Sequence, residues 1–304
     1  MEKVALVVGE ALVDVVVLPD GTTTAYPGGS AANVAVALAR LDRPAWFSTC
    51  FADDDFGRLI GTQLERAGVR LASDPAAADR TSSAQATIGT DGAASYVFDL
   101  VWELNPLALA DGVEPVAVHT SSIGAVLQPG ADDVRDLVER LRSSATISYD
   151  VNARPGVTGT GPDVVERVEA LAALGDVVKA SDEDLEALWP HQDLVVSARH
   201  LLSFGPAVVV VTRGGEGALW VSRQGSGEIA SVPVEVADTI GAGDTFGAAL
   251  IDGLWERDLL GAGRRDALHA LGADTWGAVL SWAARVAAVT VSRPGADPPY
   301  RHEL

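Results

Sequence analysis

The run Val4-Ala5-Leu6-Val7-Val8-Gly9 places one apolar residue after another with no polar alternation. A strand with one face in water would alternate, so this run predicts a strand covered on both faces. Similar runs recur at 45–51, 116–119, 146–149, 177–178 and 208–211. Between them, helical periodicity marks 31–41, 56–67, 131–142, 163–174, 182–189, 192–204, 242–255 and 275–291. This β–α alternation predicts an α/β fold: a doubly wound, mainly parallel sheet flanked by helices, with right-handed crossovers. A ligand site is expected at the C-terminal ends of its strands.

Two segments break the rhythm. Residues 12–26 carry the turn Pro19-Asp20-Gly21, and residues 84–98 carry Asp91-Gly92 between two β-prone runs, so both predict hairpins. Paired with each other, they would make a small sheet standing off the main one as a lid or a dimer surface; unpaired, they would decorate the rim. Both readings stay open on the residues alone. The stretch Ala76-Ala77-Ala78 reads as a loop, and no solenoid repeat is present.

The 304 residues hold 42 acidic and 22 basic side chains, for a net charge of −20. Such a surface repels nucleic acid and anionic membranes, so neither is expected as a partner. With 48% hydrophobic and 21% charged residues the chain can bury a sizeable core. A lone cysteine, Cys50, supplies no disulfide and no Cys-rich zinc site, which fits a reducing compartment. The first apolar run is cut at Gly9 and Glu10 and reads as a strand, not a signal peptide. No uninterrupted run reaches the roughly 18 apolar residues of a membrane span. A soluble, cytoplasmic protein is expected.

The most informative stretch for chemistry is Asp238-Thr239-Ile240-Gly241-Ala242-Gly243-Asp244-Thr245-Phe246, which leads directly into an apolar helix. Glycines at 241 and 243 allow a tight loop whose free N–H groups, at a helix N-terminus, would hold an anion. A carboxylate at Asp244 opposes a bound phosphate but makes sense as a base that deprotonates an acceptor hydroxyl. Helix capping by Asp244 is the competing reading. The chain's two lysines, Lys3 and Lys179, lie outside any G-x-x-x-x-G-K-[ST] frame, which excludes a P-loop. Spacing of Gly241, Gly243 and Gly247 falls too late in the chain for a Rossmann opening.

A second glycine-rich element, Pro27-Gly28-Gly29-Ser30-Ala31-Ala32-Asn33, precedes a helix. Its glycines allow close backbone approach, and Asn33 offers both a donor and an acceptor to sugar hydroxyls; a plain helix boundary is the alternative. Asp14 offers acceptors to two hydroxyls, or else is a solvated hairpin residue. The five histidines show no metal-ligand spacing. Trp102 is a candidate pocket wall or a packing residue.

Together, PGGSAANVAVALARL at 27–41 and DTIGAGDTFGAAL at 238–250 resemble the two fingerprints of the PfkB, or ribokinase-like, carbohydrate kinase family. The similarity runs from Gly9 to SRPGADPPY at 292–300, and GEALVDVV, RTSSAQATIGTDGAASYVFDL and SYDVNARP look most like bacterial fructokinases. The resemblance implies a single ribokinase-like domain over 1–304, with a β lid formed by about 12–26 and 84–100. It implies Asp244 as catalytic base and the amides of Gly241, Ala242 and Gly243 as the anion hole. Asp14, Gly28, Gly29 and Asn33 would bind the sugar, Phe98 would cover it, and Arg154 would lie near the transferred phosphate, where a planar guanidinium suits phosphate oxygens. Thr212, Gly214 and Gly217 resemble the family's nucleotide loop, although Thr212-Arg213-Gly214-Gly215-Glu216-Gly217 equally suits a hairpin turn.

Asp238, with the loop around Ser292 and Gly295, resembles the family's monovalent cation site, so potassium dependence is a hypothesis. Many members carry N-x-x-E near magnesium, whereas this chain has Ser181-Asp182-Glu183-Asp184. Ser181 and Asp184 also form a capping box, so Asp184 would act on magnesium through water. The implied reaction is ATP- and Mg2+-dependent phosphorylation of a primary hydroxyl of a small sugar, fructose first. Ribose, 2-keto-3-deoxygluconate or a nucleoside are alternatives, as is a non-catalytic sugar or nucleotide sensor. Only 6% of residues are aromatic, which favours a plain sugar over a nucleoside. Exposed lid edges suggest a homodimer.

Overall fold

The computed structural model describes residues 1–76, 78–89 and 94–304. The expected Asp91-Gly92 turn and Ala77 lie outside the described residues.

The strands are β1 (Glu2–Val8), β2 (Leu12–Val17), β3 (Thr23–Gly28), β4 (Ala45–Ser48), β5 (Arg70–Leu71), β6 (Ser83–Ile88), β7 (Ala94–Asp99), β8 (Val113–Ser121), β9 (Thr146–Asp150), β10 (Val177–Ser181), β11 (Val208–Thr212), β12 (Ala218–Ser222) and β13 (Gly225–Ile229). The helices are α1 (Ser30–Arg40), α2 (Asp55–Ala67), α3 (Ser122–Val126), α4 (Gly130–Leu141), α5 (Pro155–Thr158), α6 (Pro162–Leu174), α7 (Asp182–Leu188), α8 (Leu194–Ser203), α9 (Ala242–Trp255), α10 (Arg265–His269) and α11 (Ala273–Val291).

Nine strands form the main sheet in the order β13-β12-β11-β10-β9-β8-β1-β4-β5. From β5 to β11 all neighbours run parallel, and β12 and β13 add an antiparallel edge. The unalternating strand runs have their expected cause. Ala5 and Val7 pack with α1, α2, α9 and α11, while Val4, Leu6 and Val8 pack with α4 on the opposite face. Further along the sheet, Val209 and Val211 meet α6, α7 and α8 on that second face.

Some boundaries differ from expectation. The run at 45–51 is a strand only to Ser48, because the Phe51 amide turns to Pro75 O and the Ala52 amide to Thr81 Oγ1. The run at 177–178 continues to Ser181, because polar Lys179 finds Asp150 on the adjacent strand.

The two hairpins pair through parallel β2 and β6 into a second sheet of order β3-β2-β6-β7. Val13 and Val15 turn inward and join the core under α1 and α2. Tyr26, Asp14, Ala84 and Phe98 are cross-strand neighbours, so their side chains share the other face. Here Tyr96 and Phe98, 63% and 41% exposed, stack with ring centroids 6.3 Å apart. Asp14, on this face, lies near enough to Arg154, in the segment after β9, for the two charges to interact.

Candidate active site

Strands β1, β8, β9, β10 and β11 are parallel, so the segments following them gather at one sheet edge. The chain leaves β1 toward β4 on one side and returns to β8 on the other. That reversal opens the crevice where α/β sheets bind ligands.

Helix α9 starts at this edge. Gly241 precedes it at φ +73, and a Cβ there would lie 2.6 Å from the Ala296 Cβ, so only glycine fits. The Ala242 amide donates to Thr239 O at 3.3 Å. Among the described residues, the amides of Gly241, Gly243 and Asp244 have no intramolecular acceptor. The free amides thus include that of Asp244, while that of Ala242, expected in the anion hole, is spent on the turn.

Asp244 does not cap α9. Its 8% exposed side chain takes 2.7 Å from Ser30 Oγ on Oδ1 and 2.8 Å from Asn33 Nδ2 on Oδ2. Asn152 Nδ2 approaches Oδ1 at 3.5 Å and Ser30 Oγ at 2.8 Å. The donors face the carboxylate because α1 and α9 pack together, with Ser30 and Asn33 one helical turn apart. Asn33, expected on the sugar, is turned to Asp244 through its amide nitrogen.

Gly29, at φ +100, lets α1 begin against the segment that follows β1, since a Cβ there would lie 2.7 Å from Glu10 O. At Gly28 a Cβ would collide with Asp14 Oδ2, so glycine leaves that carboxylate its place. Burial pushes the Asp14 carboxyl up and the Arg154 charge pulls it back. Arg154 is exposed and donates to Asn152 Oδ1 at 2.6 Å, and Asn152 occupies the left-handed region at φ +37. Trp102 is buried and donates to Gly124 O, so it packs under α3.

Asp184 caps α7 in a box with Ser181 and also accepts the Ala153 amide at 2.8 Å, tying the β9 and β10 ends together. Asp238 accepts the amides of Ile240 at 3.0 Å and Gly295 at 2.9 Å, which hold its carboxyl below its ordinary value. The loop around Gly295 is thus joined to Asp238. Thr212 ends β11 beside Ser181. Gly214 and Gly217 form the β11–β12 turn, at φ +49 and +88, where a Cβ on Gly217 would collide with Ile229 O. Among the described residues no group of three or more His, Cys, Asp and Glu side chains is arranged to hold a metal.

Glu10 was seen in the sequence only as the end of an apolar run. In the structure it is 6% exposed and accepts the Ser30 amide at 2.9 Å and the Gly124 amide at 2.8 Å, clamping the starts of α1 and α3. Burial pushes its carboxyl up to about 7, against the pull of the amides. A carboxyl raised on folding favours the folded state below its unfolded value, and this contribution is lost as pH rises through the folded one. Between about pH 4.5 and 7 Glu10 therefore makes stability fall with pH. In Glu10→Gln the thermal midpoint should fall less over this range than in the parent; equal slopes would remove Glu10 from the titration.

The pfkB family carbohydrate kinase model matches residues 2–303. The fructokinase of Rhizobium leguminosarum bv. trifolii is 35% identical over 263 residues, 83% of this chain and 80% of that protein. The aminoimidazole riboside kinase of Salmonella typhimurium is 28% identical over 265 residues, 84% of this chain and 83% of that one. The crystal structure of fructokinase with bound ATP from Xylella fastidiosa superposes with a TM-score of 0.81 at 25% identity, covering 97% of this chain and 94% of that one. Among the described residues, no helix is long and apolar enough to cross a membrane.

Proposed function

This chain belongs to the pfkB family of carbohydrate kinases, phosphotransferases acting on a sugar hydroxyl, and from that premise we propose that it moves the γ-phosphoryl group of ATP to a primary hydroxyl of fructose in the cytoplasm. The observation that carries this reading is the Asp244 carboxylate, oriented by Ser30 and Asn33 beside unpaired amides at the start of α9. Asn33 and Ser30 each occupy one lone pair, so the carboxylate keeps acceptor capacity for a hydroxyl proton.

The sugar sits against Asp14, Gly28, Gly29 and the neighbouring edge of Asn33. The face carrying Tyr26 and Phe98 covers it and excludes water that would compete for the phosphoryl group. Asp244 takes the hydroxyl proton as the oxygen attacks in line, while the free amides and Arg154 receive the charge on the transferring group. The nucleotide lies along the β11 end, at Thr212, Gly214 and Gly217. Magnesium, when bound with the nucleotide, offsets phosphate charge. Asp184 fits a contact to it through water, since each oxygen already accepts a backbone amide. Asp238, with its carboxyl held ionised, suits potassium bound to adjacent carbonyls. The exposed edges and aromatic face of the small sheet suit pairing with a second copy of the chain.

The similarity to aminoimidazole riboside kinase favours a nucleoside-like acceptor as the second reading. An ADP-release assay over fructose, ribose, 2-keto-3-deoxygluconate and aminoimidazole riboside decides between them. Fructose should give the highest kcat/KM, and replacing potassium by tetramethylammonium should lower it. A higher value with the riboside would transfer the assignment, and unchanged activity without potassium would remove the cation site.

A further inference from the structure

Lys179 and Asp150 are left without a task by this mechanism. Lys179 Nζ donates to Asp150 Oδ2 at 2.8 Å between adjacent strands, and the side chains are 7% and 1% exposed. Burying such a pair contributes little net stability, because desolvation of both charges offsets their attraction. Its position is more informative. A Cβ on Gly243 would lie 3.4 Å from Lys179 Nζ, so the ammonium rests directly against the first turn of α9. An ammonium has three donors, and among the described residues Lys179 uses one, on Asp150. Asp150 Oδ1 is buried without a partner. Burial works against the Lys179 charge, but Asp150, Asp184 and Asp244 together raise its pKa above the ordinary value. Apart from the exposed Arg154, every other charge named here around the loop is negative, in a chain of net charge −20.

We propose that Lys179, held in place by Asp150, is a positioning residue for phosphoryl transfer: its buried ammonium fixes the Gly243 turn and puts positive potential behind the amides on which negative charge collects. In a site shielded from water this potential is weakly screened and already oriented before reaction. The inference rests on the kinase reading above.

The competing role is neutralisation of Asp150 alone, and a double replacement separates the two. Lys179→Met should lower the thermal midpoint by leaving Asp150 buried and unpaired. In Lys179→Met/Asp150→Asn the midpoint should recover, yet kcat should stay down about tenfold or more, with the sugar KM within about threefold of the parent. Lys179→Gln/Asp150→Asn, which keeps a hydrogen bond between two amides, should show the same kcat loss and covers the case in which the methionine variants do not fold. Parent-like kcat in either double variant would overturn the proposal. If the parent itself phosphorylates no acceptor, the kinase reading fails; an active parent matched by the double variants fails the Lys179 inference alone.

Discussion

Asp244→Asn is expected to bind sugar and nucleotide as the parent does and to turn over about 10²-fold more slowly or worse. Asparagine keeps an oxygen for Ser30 Oγ, which now donates at 2.7 Å. Its new amide nitrogen would face the Asn33 nitrogen, now a donor at 2.8 Å. Rotating the Asn33 amide by half a turn presents its oxygen instead, so the α1–α9 contact survives. Removal of the negative charge also relieves repulsion of the nucleotide, and nucleotide affinity should hold or tighten. The basic site is lost: an amide accepts no proton at neutral pH, and the attacking hydroxyl must shed its proton to water. Calorimetric titration with ATP and fructose, alongside initial rates at saturation, tests both halves. Turnover within a few-fold of the parent would refute the base, and loss of binding with turnover would make Asp244 a structural acceptor.

How far this site was legible depended on how local each signal is. Strands such as β1 and β11 announce themselves because both faces are buried and Val4–Val8 and Val208–Val211 are apolar at every position. β13, Gly225–Ile229, did not, because an edge strand with three exposed residues needs no apolar pattern. The loop before α9 was legible in its glycines, since positive φ at Gly241 restricts residue choice whatever surrounds it. The choice between base and cap for Asp244 was not, because its partners Ser30 and Asn33 lie 214 and 211 positions away. In the sequence Glu10 marks only the break in an apolar run, and Lys179 is only a lysine outside any P-loop frame. Each is a charged residue whose burial is explained only by partners from distant elements, the amides of Ser30 and Gly124 for one and Asp150 for the other. The Asp184 cap was readable because its box closes within one turn.

The largest expected loss of stability follows Asp252→Ala, at the other end of α9. Asp252 is fully buried. Its Oδ1 accepts from Arg43 Nε at 2.6 Å and from Arg301 Nη2, and its Oδ2 accepts from Trp282 Nε1 at 2.8 Å. One carboxylate thus ties α9 to the turn after α1, to α11 and to the C-terminal segment. Alanine would leave two guanidinium groups, 13% and 29% exposed, facing a cavity without their shared counter-charge. Arg301 keeps two bonds to Leu41 O and Arg43 keeps Glu256, so neither cation swings freely into water. Removing one partner from a buried ionic cluster costs about 3–5 kcal/mol, a large share of the roughly 5–15 kcal/mol that holds a domain folded. In urea the midpoint should drop with little change in slope, since the surface exposed on unfolding is nearly the same. Asp252→Asn, which retains an oxygen for one arginine and loses the charge, should fall between parent and alanine variant. A midpoint shift equivalent to less than about 1 kcal/mol for the alanine variant would mean that the arginines find water or other acceptors, as an exposed ion pair would allow.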